Sequence, residues 1–114
     1  MSRAIWIDVG AEAEIPARAA RRFVFAETPI AVFRAGDGML FALVDRCPHK
    51  GGPLSEGILH GRAVACPLHN WIISLETGAA QGADSGCTTT LAVAVRCGRV
   101  FVDVGALDRA AARA

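Results

Sequence analysis

Two short loops, each with one cysteine and one histidine, constrain this sequence more than any other feature. The first loop holds Cys47 and His49, and the second holds Cys66 and His69. In both loops proline follows the cysteine, and the segment between them is rich in glycine. Two thiolates and two imidazoles, divided equally between two loops, suit a two-iron two-sulfur cluster with unlike irons, one bound by Cys₂ and the other by His₂. The sequence therefore predicts these four residues as cluster ligands.

Three alternative explanations of the same residues are weaker. Structural zinc sites usually place their cysteine pair together and their histidine pair together, whereas each loop here is mixed. A disulfide between Cys47 and Cys66 would leave both histidines unexplained, and nothing in the sequence indicates secretion. Coincidence would require two such loops, each with proline after cysteine, to arise independently.

The whole-chain composition limits the classes of function. The 114 residues fit one domain, spanning 1–114, and 53% hydrophobic residues are ample for a packed core. A net charge of +1 gives no electrostatic reason to expect a nucleic acid or an anionic membrane as partner. We find no apolar run long enough for a membrane span and no signal peptide, so we expect a cytoplasmic protein with reduced or metal-bound cysteines.

Short β-rich runs separated by turn residues predict an all-β fold. About nine strands are expected, over 5–9, 22–26, 30–34, 39–44, 57–59, 62–65, 70–75, 88–96 and 99–104. Tight turns are predicted at 35–38, at His60-Gly61 and at Cys97-Gly98, and Thr28-Pro29 should break a strand. Residues 12–22 form a helical turn or a loop, and 106–114 is a short helix or a frayed tail. We expect an antiparallel β-sandwich or barrel, with the two loops in a small cluster-binding subdomain over about 45–75.

The two Cys-and-His loops and the strand pattern around them resemble the Rieske iron–sulfur family. In finer detail, residues 47–57, residues 66–78, the run Gln81-Gly82-Ala83-Asp84 and Cys87 are similar to the small subunit of assimilatory NAD(P)H-dependent nitrite reductase. This resemblance implies one Rieske cluster per chain, with the two cysteines on one iron and the two histidines on the other. It also implies electron transfer to a large subunit that carries flavin, sirohaem and a four-iron cluster and reduces nitrite to ammonium in nitrate assimilation.

Two alternatives to the nitrite reductase subunit stay open. One is a Rieske ferredoxin that delivers electrons to a ring-hydroxylating dioxygenase. The other is a regulatory or structural subunit in which the cluster only holds the loops together. In every case we expect no catalysis by this chain alone, because it has no G-x-G-x-x-G dinucleotide fingerprint after a strand.

The resemblance also predicts the reduction potential. High-potential Rieske proteins have a disulfide that braces the loops, and Ser and Tyr hydroxyls that donate to the cluster or to ligand sulfur. Here the bracing positions are Gly52 and Leu68, the Ser position is Trp71, and the chain has no Tyr. Fewer donors stabilise the reduced cluster less, so we expect a midpoint near the low end of the Rieske range, roughly −150 mV.

Five other residues have predicted but secondary roles. His60 is expected to be an exposed turn residue, Cys87 a small core residue, and Cys97 an exposed thiol that is not bonded to Cys87. Trp71 either packs in the core under the cluster or forms part of an interface. Lys50 either donates near the cluster or is solvated.

Overall fold

The computed structural model describes residues 4–47, 52–67, 71–80, 86–105 and 107, and within these ranges short strands dominate. Two single 3-10 turns accompany them, Glu12–Glu14 and Leu54–Glu56. The strands are β1 (Trp6–Ala11), β2 (Ala19–Phe25), β3 (Thr28–Arg34), β4 (Leu40–Val44), β5 (Ile58–His60), β6 (Ala63–Ala65), β7 (Ile72–Ser74), β8 (Thr90–Leu91), β9 (Val93–Arg96) and β10 (Arg99–Asp103).

The strands form three antiparallel sheets, which confirms the predicted all-β class. The first sheet has the order β1-β10-β9, the second β2-β3-β4-β8, and the third β5-β6-β7. Among the described strands, four of the seven neighbouring pairs are hairpins with short turns, namely β2-β3, β3-β4, β5-β6 and β9-β10. The second ligand loop joins β6 to β7, and the first and second sheets each add one strand from a distant part of the chain, β1 and β8. In sequence, β5 and β6 of the third sheet lie between the two predicted ligand loops, and β7 follows the second loop.

Strand β3 separates two hydrophobic cores. Its residues alternate between the two sides, as expected for the two-residue period of a strand. Ile30 and Val32 belong to a core shared with strands of the first sheet, whereas Ala31 and Phe33 belong to a core shared with the third sheet. Because a hydrophobic core covers each face of β3, the sequence of this strand contains a continuous apolar run. The predicted ligand cysteines lie in the second of these cores.

Two predicted turns are displaced from their real positions. The β2–β3 turn is Ala26-Glu27, with φ of 49° and 66°, and Thr28 pairs with Phe25 inside the hairpin. Our expectation of a break at Thr28-Pro29 was therefore wrong. A proline is tolerated here because it lies at the beginning of a strand.

The second displaced turn joins β5 to β6. His60 pairs with Ala63, so the turn consists of Gly61 and Arg62 rather than His60 and Gly61. Gly61 has φ of 57°, a left-handed conformation that glycine adopts without a steric penalty. The register of the two strands, rather than the local sequence, decides which pair of residues turns.

The predicted strand over 88–96 is divided between two sheets. Its first part is β8, in which Leu91 pairs with Ala42 of the second sheet. Its second part is β9, in which Val93 pairs with Val102 of the first sheet. The predicted turn at Cys97-Gly98 is confirmed, with positive φ at both residues and Arg96 opposite Arg99.

Of residues 12–22, predicted as a helical turn or a loop, the first part is a 3-10 turn followed by a loop. The prediction was wrong for residues 19–22, which belong to β2 and pair with β3. Arg34 fixes the part of this segment before β2 to the second sheet by donating to the carbonyls of Glu12 and Ile15, and it also donates to the carbonyl of Gly38 in the β3–β4 turn. Most of the predicted tail over 106–114 lies outside the described residues. Within the described ranges, no helix has the length and apolar character needed to cross a membrane.

Candidate metal centre

The two predicted ligand loops are closed by the same kind of backbone hydrogen bond. The N–H of Cys47 donates to the carbonyl of Gly52 at 2.8 Å, and the N–H of Cys66 donates to the carbonyl of Trp71 at 2.7 Å. In each loop the acceptor lies five positions after the cysteine. The loops therefore have equal length and equal closure, as expected for two halves of one metal site. The predicted ligands His49 and His69, like Lys50, lie outside the described residues.

Strand ends deliver both cysteines into one hydrophobic core. Cys47 follows β4 and is 2% exposed, and Cys66 follows β6 and is 0% exposed. Both contact the core that also contains Leu54, Val64 and Ile73. All four cysteines of the chain lie within the described residues, and the bridge between Cys47 and Cys66 considered above is not formed.

The described part of this donor set fits an iron–sulfur cluster. Thiolates are soft ligands that select iron–sulfur clusters, copper(I) or zinc. A buried thiolate is unfavourable in an apolar core unless a metal compensates its charge, and here two buried thiols from separate loops belong to the same core. The surrounding apolar side chains would restrict water and keep the dielectric low. When bound, a cluster of this kind accepts and releases one electron.

A buried carboxylate next to the first loop is the main feature that the sequence did not reveal. The side chain of Asp45 is 0% exposed and pairs with Arg22 Nε at 2.8 Å. It also accepts hydrogen bonds from the backbone N–H of Ser55 at 2.7 Å and from Ser55 Oγ at 2.6 Å. One signal was available in the sequence. Asp45 stands between a predicted strand and a predicted ligand, and a charge that is buried at such a position needs partners.

The 3-10 turn after the first loop is held on two sides. Leu54 is fully buried in the core that contains both cysteines, while Ser55 is bonded to Asp45. Trp71 is partly buried and packs against the same core, which confirms the core-packing interpretation of that residue. The 3-10 turn and Trp71 therefore both pack on the core that contains the two cysteines.

Three other residues singled out from the sequence lie on the surface. His60 is exposed as predicted, although it ends β5 rather than forming a turn. Cys97 is an exposed, unbonded thiol, as predicted. Cys87 is also exposed, so its assignment to the core was wrong. Its backbone forms an isolated bridge with Ala79 at the edge of the structure, where the side chain remains in contact with water.

An exposed ion-pair cluster joins the third sheet to the second. Arg62 pairs with Asp37 at 2.9 Å and Glu76 at 3.5 Å, and its guanidinium lies 5.8 Å from the ring centroid of Phe41. The backbone N–H of Met39, and then Arg62, donate to Asp37 and lower the pKa of its carboxyl. A separate pair behaves alike, since hydrogen bonds from Arg99 lower the pKa of Asp8.

The family model of the Rieske [2Fe-2S] domain matches residues 5–93, and the chain belongs to this family. Its cofactor is a Rieske 2Fe-2S cluster, and the chain is an electron-transfer domain of an oxidoreductase system. The fold and cofactor expected from the two loops are thereby confirmed.

Among curated proteins, two ferredoxins cover most of this chain. The anthranilate 1,2-dioxygenase ferredoxin subunit of Burkholderia cepacia is 43% identical over 74 residues, which are 65% of this chain and 68% of that protein. Ferredoxin CarAc of Metapseudomonas resinovorans is 36% identical over 102 residues, 86% of this chain and 92% of that protein. By contrast, the 38% identity to the 4beta-methylsterol monooxygenase of Methylococcus capsulatus covers only 19% of that protein.

Solved structures with the same fold come from two kinds of system. A chain of the carbazole 1,9a-dioxygenase complex of reduced oxygenase and oxidized ferredoxin superposes with a TM-score of 0.79 at 32% identity, covering 87% of this chain and 93% of that chain. A Mycobacterium tuberculosis protein assigned as an NADH-dependent nitrite reductase small subunit has a TM-score of 0.80 at 21% identity, covering 89% of this chain and 96% of that one. The second likeness supports the fold alone.

Proposed function

We propose that this chain is a Rieske ferredoxin that delivers electrons to the oxygenase of a ring-hydroxylating dioxygenase system. The observation that carries this proposal is the similarity to two dioxygenase ferredoxins, one of which is matched along almost its whole length. The solved nitrite reductase small subunits are 21% and 22% identical to this chain, and this likeness supports the fold alone. The relation to a partner oxygenase comes from these relatives and is part of the proposal.

We propose that Cys47 and Cys66 bind one iron of the cluster and that His49 and His69 bind the other. The equal closure of the two loops and the burial of both thiols in one core support this ligand set. It follows that residues 45–75 form a cluster-binding subdomain within a single Rieske domain over 1–114. The exposed unbonded thiols elsewhere in the chain fit a reducing compartment, and we propose the cytoplasm.

Ligand substitutions with matched controls test this assignment. Purified protein should contain two irons per chain and give a Rieske electron paramagnetic resonance signal. Cys47→Ser and His69→Ala should each abolish that signal. The controls Cys97→Ser and His60→Ala change the same residue types at exposed positions and should leave it intact. A signal that survives either ligand substitution would falsify the ligand set, and a colourless protein with stoichiometric zinc would contradict the cluster itself.

The small subunit of NAD(P)H-dependent nitrite reductase is the second candidate. It is supported by the sequence resemblance of residues 47–57 and 66–78. Its partner would be the large subunit with flavin, sirohaem and a four-iron cluster. Under this proposal the chain alone would not reduce nitrite with NADH, because it has no dinucleotide fingerprint.

Reoxidation kinetics distinguish the two candidates. The reduced protein is mixed in a stopped-flow instrument with an oxygenase component, such as that of a carbazole or anthranilate dioxygenase, or with a nitrite reductase large subunit. We expect rapid oxidation by an oxygenase and no stimulation of NADH-dependent nitrite reduction. Stimulation by addition of this chain to the large subunit, together with inertness toward oxygenases, would reassign it to nitrite reduction.

A further inference from the structure

A buried ion pair lies directly beside the first ligand loop. Asp45 precedes Cys47 by two positions, and its side chain has no exposed surface. Its oxygens accept hydrogen bonds from Arg22 at 2.8 Å and twice from Ser55, at 2.7 and 2.6 Å. Burying a carboxylate is costly even when it is paired, and an apolar residue at such a position is often equally stable. Stability is therefore a weak reason for its presence.

We propose that Asp45 is a positioning residue that fixes the first ligand loop and, together with Arg22, sets the reduction potential of the cluster. This inference rests on the proposed assignment of Cys47 as a ligand, because the carboxylate acts on the cluster through the loop that begins at that cysteine.

The positioning argument follows from two nested closures of one loop. The inner closure is the hydrogen bond from the N–H of Cys47 to the carbonyl of Gly52. The outer closure is the pair of bonds from Ser55 to the carboxylate of Asp45. Asp45 is itself tied to β3, because its N–H donates to the carbonyl of Pro29 at 2.8 Å. The loop thus leaves and returns at points that are fixed to the same strand.

The electrostatic argument follows from the unequal exposure of the two charges. Asp45 is fully buried, whereas the side chain of Arg22 is 51% exposed. Arg22 lines an open hollow of about 470 Å³ together with Arg46 and Glu56, and Asp45 lies at the wall of this hollow with its side chain covered. Water and salt screen the exposed cation more strongly than the buried anion. The pair therefore does not cancel at the cluster, and its net effect is that of a negative charge.

The sign of the effect on the potential is fixed by the charge change of the couple. One-electron reduction by the donor partner adds a negative charge to the cluster without making or breaking a bond to this chain. A nearby uncompensated negative charge disfavours that step, and a nearby positive charge favours it. Removing the charge of Asp45 should raise the midpoint potential, and removing the charge of Arg22 should lower it.

Opposite shifts in two variants are the decisive test. Midpoint potentials of the loaded protein are measured by redox titration at neutral pH and fixed ionic strength. Asp45→Asn should shift the midpoint positively, and Arg22→Gln should shift it negatively. The separate variant Arg22→Lys retains the charge and should keep the wild-type midpoint. Ser55→Ala removes one hydrogen bond without a charge change and should broaden the paramagnetic signal with little change in midpoint.

If Asp45 and Arg22 had only a structural role, the results would differ. Every variant would then have lower thermal stability and lower cluster retention, without midpoint shifts of opposite sign. Equal midpoints for Arg22→Gln and Arg22→Lys, with two irons still bound, would overturn the inference, and this comparison stands even if Asp45→Asn does not fold. A wild-type protein that binds no cluster through Cys47 would instead overturn the proposed ligand set.

Discussion

Gly57 is the position where one added methyl group should most directly disturb the metal centre. It follows the 3-10 turn at Leu54–Glu56 and has φ of −81°, so its backbone conformation suits any residue. A Cβ atom there would lie 2.1 Å from the carbonyl oxygen of Ala65 and 2.9 Å from Cγ2 of Val64. Ala65 immediately precedes Cys66, so strain at Gly57 is passed to the second ligand loop.

The magnitude follows from the displacement that Gly57→Ala requires. Contacts of a Cβ under 3.0 Å are essentially not found, so the carbonyl of Ala65 must move by at least 0.9 Å from its position at 2.1 Å. Overpacking of this kind costs about 1–3 kcal/mol. The restricted unfolded chain of an alanine variant offsets about 0.4–1 kcal/mol. A net loss of about 1–2 kcal/mol corresponds to a fall in melting temperature of roughly 4–16 °C, because each kcal/mol lowers it by about 4–8 °C in a domain of about 100 residues.

Gly36→Ala is the matched control. The added Cβ would contact only the flexible guanidinium of Arg18, at 3.3 Å from its Nε, on an exposed turn. We expect unchanged or slightly raised stability for this variant. The assay is thermal unfolding of the cluster-loaded protein by circular dichroism, with the rate of iron loss measured in parallel. A Gly57→Ala variant that melts and retains iron like Gly36→Ala would refute the reasoning.

Three further predictions concern the potential, the thiols and the response to pH. Redox titration should give a midpoint near −150 mV, the low end of the Rieske range. A value well above zero would contradict the argument that the lack of hydroxyl hydrogen-bond donors lowers the potential. Maleimide should label Cys87 and Cys97 in the folded protein but not Cys47, since only the first two are exposed; mass spectrometry after digestion checks this, and early labelling of Cys47 would contradict its burial. Hydrogen bonds from Met39 and Arg62 hold the pKa of Asp37 below its ordinary 3.8. The stability they give is fully present above pH 3.8 and is lost as the pH falls through the lowered pKa. Asp37→Asn should therefore melt at a lower temperature than wild type at pH 7, and the difference should vanish in strong acid; a difference independent of pH would rule out the charge as its cause.

Most strands could be predicted because their apolar residues follow the two-residue period of a half-buried sheet. The turn at Ala26-Glu27 could not, because neither residue is typical of positive φ, and the pairing of β2 with β3 imposes that conformation. The exchange of sheets between Leu91 and Val93 was equally hidden, since periodicity describes which face is buried and not which strand is the neighbour.

The candidate site was likewise only partly predictable from the sequence. The cysteines and histidines could be proposed as ligands from the sequence because their spacing is local to two loops. The contacts of Asp45 with Arg22 and Ser55 span 23 and 10 positions in sequence, and only the folded sheets bring these residues together. The prediction that Cys87 lies in the core was wrong because the hydrophobic character of cysteine does not show that its backbone forms an isolated bridge at the surface.

The matching backbone bonds that close the two ligand loops bear on how such a protein evolves. The bonds from the N–H groups of Cys47 and Cys66 use main-chain atoms alone, so the closure of each loop does not depend on the side chains that we propose as ligands. A lineage that substitutes those side chains would lose electron transfer but keep the two loops and the surface around them. Descendants of such a chain would then persist as docking subunits, with partner recognition inherited separately from redox chemistry.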